Sequence, residues 1–389
     1  MAETERTTPF WLDPNKRAWV YQLAAAVLVA AVGYIIFSNT QANLARQSVA
    51  TGFSFLKESC SFEIGESLIS YSAASSYATA LIVGILNTLK VAVVGTILAI
   101  ILGTLVGIAR LSSNWLVSKI AGAYIEVMQN IPALLQLFFW YAMFYQNLPS
   151  PRAALSPVEG VYLCNRGVLF PVPEAHPAYP YILAALAGAC FGMVLLRRWA
   201  KNRQAATGKT FPVFKTSVGL IIGLPALVWL FFGAPMAMNV PELKGFNFKG
   251  GMSLSPEFTA LLIGLVMYTG AFIAEVVRSG IASVDKGQTE AAKAIGLRGG
   301  RVLHLVVLPQ ALRVIVPPVT SQMLNLTKNS SLAVGIGYPD FFSVANTTIN
   351  QTGQAIEGVL LILVVYLMFS LATSAFMNWY NRKTQLVER

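Results

Sequence analysis

Eight apolar runs of roughly twenty residues, separated by charged or Pro- and Gly-rich stretches, leave this chain few ways to fold. They fall at 18–37, 91–109, 119–145, 179–196, 217–232 with its flanks, 258–277, 310–327 and 356–377. Each is long enough to cross the hydrocarbon core of a bilayer as a helix. Only 12% of the 389 residues are charged, against about 25% in soluble domains. The expected fold is an all-α polytopic membrane protein with about 8 transmembrane helices.

The first run follows Lys16-Arg17, a flank that a signal peptide would share. It exceeds the usual apolar core of about 7–15 residues, and Phe37-Ser-Asn-Thr offers no small-x-small cleavage site. An uncleaved anchor helix is expected. With the N-terminus inside, twenty Lys and Arg fall in cytoplasmic segments: three before the first run, two around 110–119, six at 197–215, six at 278–313 and three at the C-terminus. Seven fall outside, Arg46, Lys57, Arg152, Arg166, Lys244, Lys249 and Lys328. Lys90, at the border of the second run, reads as a buried functional charge or as an interfacial lysine reaching for the headgroups, and the second fits better. The asymmetry fixes both termini in the cytoplasm. The net charge of +11 is thus topology, and no nucleic-acid partner is expected.

Chemistry-bearing residues are sparse. Cys60, Cys164 and Cys190 lack C-x-x-C spacing, and His176 and His304 stand far apart, so no metal or redox centre is expected. Cys60 and Cys164 both fall in outer loops, where a disulfide can form, and two unpaired thiols are equally compatible. Thr207-Gly-Lys-Thr210 ends like a phosphate loop, but the required earlier glycine is Arg203, and an apolar run precedes it instead of a strand. No catalytic constellation stands out.

Two runs are too polar for lipid. The third carries Glu126, Gln129, Ala133 and Gln136 on one helical face beside Pro132, and the seventh carries Pro317-Pro318, Ser321, Gln322, Asn325, Lys328 and Asn329. Such groups are tolerated at membrane depth against protein or a wet cavity. They either bond helices together or border a substrate path of Gln129, Gln136, Asn325, Lys328 and Ser330. The seventh run is expected to be central. Between the sixth and seventh lies a wet, basic, Ala-rich helix, Glu290-Ala-Ala-Lys-Ala-Ile-Gly296, leading to Val306-Val-Leu308-Pro309. Ala291, Ala292 and Ile295 make a small apolar face, and Gly296 supplies the turn after it.

Glu290, Ala291 and Ala292, Gly296 six residues on, and Leu308-Pro309 resemble the EAA loop of ABC importer permeases. In that family the loop is the cytoplasmic helix that docks into a groove of the ATPase subunit. Gly84-x-x-x-Thr88-Leu89, Tyr124-x-Glu126, Pro132-x-Leu-x-Gln136, Glu275-x-x-Arg278, Leu308-Pro-Gln-Ala-Leu-Arg and Lys328-x-Ser-Ser-Leu332 are similar to the polar amino-acid uptake branch. The likeness covers about 80–148 and 257–380. It departs at Gln129-Asn-Ile-Pro132, where the branch has Arg-Gly-Thr-Pro, and in an insert of about 110 residues. The insert and added N-terminal helix resemble the inner-membrane permease subunit of bacterial general L-amino-acid transporters.

The resemblance implies four parts: an anchor helix and periplasmic loop at 1–79, permease core at 80–148, an insert with two extra helices at 149–256, and core again at 257–389 with the coupling loop at about 279–309. It further implies a type I importer permease of the bacterial inner membrane, carrying L-amino acids of broad range. ATP and Mg are expected on a partner ATPase dimer, with a second, related permease subunit and a periplasmic amino-acid-binding protein. An ion-coupled carrier or channel is the competing reading; its acids, Glu126 and Glu275, lie toward the cytoplasmic ends.

Overall fold

The computed structural model describes residues 14–46 and 52–384. The polar segment ahead of residue 14 and the terminal Arg389 counted above lie outside these. Among the described residues, seven helices are long and apolar enough to cross a membrane, or eight if one bent pair is a single span. The chain divides into two compact units, residues 1–134 with 265–389, and residues 135–264.

The first unit opens with α1 (Pro14–Arg46), whose apolar window has none of its residues buried against protein. Next come a short turn at Ser54–Lys57 and α2 (Tyr77–Arg110). The stretch ahead of α2, expected as a polar loop, partly folds inward. Phe55 and Cys60 are buried with Tyr77 and Leu81 of α2 and with Phe341, Val344 and Val365. Ser76 caps α2 by accepting from the Thr79 amide at 3.3 Å. α3 (Trp115–Asn130) is capped by Asn114, which accepts from the Leu116 and Val117 amides.

α3 stops because Pro132 forbids the helical conformation to its neighbour, and Ile131 is extended at φ −97°, ψ 127°. After this break come α4 (Ala133–Ala142) and one wide turn at Met143–Asn147, which from residue 135 on belong to the second unit. The third run is therefore a broken helix, as its proline suggested.

The rest of the first unit is α7 (Pro256–Ala282) from residue 265 on, α8 (Lys286–Ala294), α9 (Gly299–Val302), α10 (Leu308–Asn329), α11 (Phe341–Thr352) and α12 (Ala355–Thr384). Small residues bring α2 and α7 together. A Cβ on Gly107 would sit 2.6 Å from the Ala274 carbonyl oxygen, and one on Gly103 2.8 Å from that of Gly270. In lipid, where apolar burial drives little, such close packing holds helices together. The stretch from 328 to 355 is helical: a tight turn at Ser330–Ile336 and then α11.

The second unit holds α5 (Ala178–Thr207) and α6 (Val213–Phe231), an antiparallel hairpin. Tyr181 stacks on Phe232 at 5.2 Å at one end, and Trp199 meets Phe211 edge-on at 5.3 Å at the other. The flanking Pro- and Gly-rich stretches carry short strands. These are β1 (Leu155–Val158), β2 (Val161–Cys164), β3 (Gly167–Phe170), β4 (Val172–Pro173), β5 (Met238–Asn239), β6 (Glu242–Lys244), β7 (Asn247–Lys249) and β8 (Met252–Leu254). The largest sheet runs β1-β2-β3-β8, so residues before and after the hairpin close on one another.

Candidate functional site

The wet loop between α7 and α10 is built by its end signals. Asp285 caps α8 through a 2.6 Å bond from the Gly287 amide. At the other end the Gly296 amide donates to Lys293 and the Leu297 amide to Ala292, at 2.9 and 3.1 Å. This is a Schellman stop, and it needs Gly296 at φ +85°. No atom lies within 4 Å of where a Cβ on Gly296 would stand, so the glycine serves the backbone and not packing. Ala292 is buried, while Glu290 and Ala291 are exposed and Ile295 is 79% exposed. A nine-residue helix outside the candidate spans thus presents a small methyl face and a bare isoleucine. Farther on, Pro309 lacks an N–H, and the helix widens into one π turn at Leu303–Val307 just ahead of it. Leu308 is exposed and Pro309 half-buried.

The five residues named for a substrate path do not share one environment. Gln129 donates from Nε2 to the Ala271 carbonyl at 3.3 Å, a bond from α3 to α7. Ser330 is fully buried and donates to the Thr327 carbonyl at 2.8 Å, closing the end of α10. Gln136 is buried on α4. Asn325 and Lys328 stand exposed on α10, and Lys328 lines a cavity of about 450 Å³ with Ser331, Phe342 and Tyr366. α10 is less central within this chain than expected. Of its apolar window 28% is buried, against 56% for α7.

The other residues singled out in the sequence have these surroundings, and the reading of Lys90 changes. Cys60 and Cys164 are free thiols. Cys60 is held by the Tyr71 hydroxyl at 2.9 Å inside the first unit's core, and Cys164 is buried in the β2–β3 hairpin of the second. Lys90 pairs with Glu66 in the segment ahead of α2, and both side chains are mostly buried. It is an ion pair instead of a lysine extended toward headgroups. Gly208 of the apparent phosphate loop ends α5 at φ +69°. A phosphate loop opens a helix after a strand, so the geometry is the wrong one. Glu275 is held by Arg278 on its own helix at 2.5 and 2.9 Å, which neutralises one of the two acids a carrier would use. His176 accepts from the Ala178 amide at 3.1 Å, a local turn bond.

Sequence reasoning missed a buried polar knot on α2. Asn87 donates to the carbonyls of Glu66 and Pro339 at 2.8 and 2.9 Å, and Thr88 accepts from the Phe341 amide at 3.0 Å. Asp340 caps α11 by accepting from the Ser343 amide at 2.9 Å and takes a 3.3 Å bond from Tyr366. Burial pushes the Asp340 carboxyl up to about 6, against the lowering pull of those donors. Gly84 completes the knot, since a Cβ there would lie 2.9 Å from the Phe341 Cα. The spacing of Gly84 and Thr88 was visible, but their partners lie some 250 residues away.

Comparison with known proteins places this arrangement. Residues 205–386 match the model of binding-protein-dependent transport system inner membrane components. The chain is 49% identical to the general L-amino acid transport system permease protein AapQ of Rhizobium johnstonii, over 97% of this chain and 94% of that one. It is 38% identical to the glutamate/glutamine/aspartate/asparagine transport system permease protein BztB of Rhodobacter capsulatus, over 97% and 96%. The shorter glutamate/aspartate import permease protein GltJ of Escherichia coli is 31% identical over 86% of its length but 56% of this chain. With its helical spans and the glycine-stopped helix α8, this chain belongs to the family of inner-membrane permease components of binding-protein-dependent ABC transport systems.

Proposed function

We propose that the chain is the membrane-spanning subunit of an ATP-driven importer carrying L-amino acids, of broad range, from periplasm to cytoplasm. The observation that carries this reading is α8. A short helix outside the candidate spans, capped at both ends and bearing exposed Ala291 and Ile295, suits docking into a groove of a separate protein. That protein is the ATPase dimer, which holds ATP and Mg. The relatives named for amino-acid transport support the substrate class, and the variety in their names supports breadth. Exposed Asn325 and Lys328 on α10 suit a boundary shared with a second, related permease subunit, and a periplasmic amino-acid-binding protein delivers the substrate. Both termini then lie in the cytoplasm. The smaller share of this chain matched by GltJ supports an insert around 149–256 added to a shorter core.

Uptake of labelled L-glutamine and L-leucine by cells expressing the whole transporter tests the reading. Uptake should stop when ATP is depleted with the proton gradient maintained. Uptake that persisted would overturn it in favour of an ion-coupled carrier.

A further inference from the structure

We infer that the second unit carries its own binding site for a zwitterionic α-amino acid, between Arg166 and Glu257. The site is a cavity of about 290 Å³ lined by Tyr145, Asn165, Arg166, Pro256 and Glu257, all within residues 135–264. Its volume is at the small end of ligand pockets, which run from about 300 Å³. The choice of an amino acid rests on the import reading; the charges and the cavity do not.

The backbone brings the two charges together. Cys164 pairs with Gly167 across the β2–β3 hairpin, so Asn165 and Arg166 form its two-residue tip. The Asn165 amide donates to the Pro149 carbonyl at 2.9 Å and holds the tip in place. β3 pairs in turn with β8, Val168 opposite Leu254. Gly167 permits this, because a Cβ there would collide with the Leu254 carbonyl oxygen. Two residues past Leu254 the chain turns into α7, whose first turn holds Glu257. A cation at a hairpin tip is thus set across a small cavity from an anion at a helix start.

Among the described residues, neither Arg166 nor Glu257 forms an ion pair. Glu257 accepts only a long 3.4 Å bond from the Tyr141 hydroxyl. The Oδ1 atom of Asn165 is buried without a hydrogen-bond partner, which is costly unless something donates to it. An α-amino acid answers all three groups: its carboxylate suits the guanidinium, which binds carboxylates in two-pronged fashion. Its ammonium can donate both to Glu257 and to the orphaned amide oxygen. A bare anion or a bare cation satisfies one charge and leaves the other facing it.

The test uses the assembled transporter with Tyr145→Cys on a Cys190→Ser background. Cys60 and Cys164 are buried, so the thiol at position 145 is the accessible one. L-glutamine should protect that thiol from a water-soluble alkylating reagent, slowing the reaction about ten-fold at ten times its Kd by mass action. The methyl ester and N-acetyl derivatives, each lacking one charge, should give no protection. Adding Arg166→Gln should abolish protection, and Arg166→Lys should retain part of it. An alkylation rate unaffected by L-glutamine, or equal protection by the methyl ester, would overturn the site. Uptake measured in the same cells separates the two readings. Uptake without protection removes the site and keeps import, whereas protection without uptake does the reverse.

Discussion

Gly84 and Asp340 show how much the first unit depends on single side chains. Gly84→Val would drive its Cβ into the Phe341 backbone at 2.9 Å, and backbone cannot swing aside as a side chain can. Overpacking of this kind costs about 1–3 kcal/mol, read as a lower melting temperature of the purified subunit. Asp340 behaves differently because burial raises its folded-state pKa to about 6 from 3.8. The folded chain then binds the proton more tightly than the unfolded one. Stability should fall as pH rises from about 4 to about 6 and level off above. Asp340→Asn keeps an acceptor for the Ser343 amide and removes the buried charge. It should flatten that slope and leave stability at pH 7.5 equal or higher, measured by thermal unfolding across pH. A slope unchanged in the variant would mean that another group titrates.

At the scale of elements, α8 is the piece whose sequence and geometry agree most closely. Its aspartate cap, its alanines and its terminating glycine are all local signals, and local signals survive without knowledge of the tertiary fold. Gly296→Val forces a β-branched residue to φ +85°, costing about 1–2 kcal/mol at that turn. The Cβ would meet nothing, so the subunit should still insert and assemble. ATP hydrolysis should no longer drive uptake, and normal uptake by this variant would remove the docking role. The hairpin of α5 and α6 tests orientation in the same way. Ala205→Cys, beside the basic cluster of 197–215, should resist an impermeant thiol reagent in intact spheroplasts. The β-strands were illegible for a physical reason: at two to four residues each, they are too short to show an alternating pattern. Pairing partners such as β3 and β8 lie over 80 residues apart. The Asn87 and Thr88 knot was hidden by the same distance, although the motif glycine and threonine were in plain view.

For the whole molecule, the spans and the break at Pro132 followed from hydropathy and proline chemistry, whereas the division of labour among the polar residues did not. Polarity inside a span says that a partner exists but not whether it is protein, water or substrate. Gln129 and Ser330 bond to backbone carbonyls of their own unit. Asn325 and Lys328 stay exposed on α10, a position too polar for lipid, and among the described residues neither side chain bonds to another helix. Their proposed task is to border the substrate path against the second permease subunit. Asn325→Leu separates that task from subunit adhesion. A path role predicts uptake reduced at least about ten-fold, the equivalent of 1.4 kcal/mol in a barrier, with a normal yield of assembled complex. An adhesive role predicts poor assembly and an unchanged amino-acid profile in whatever uptake survives. Competition by a panel of unlabelled amino acids, run beside the assembly assay, reads both at once. An altered profile in a fully assembled complex is the outcome expected of a residue that the substrate passes.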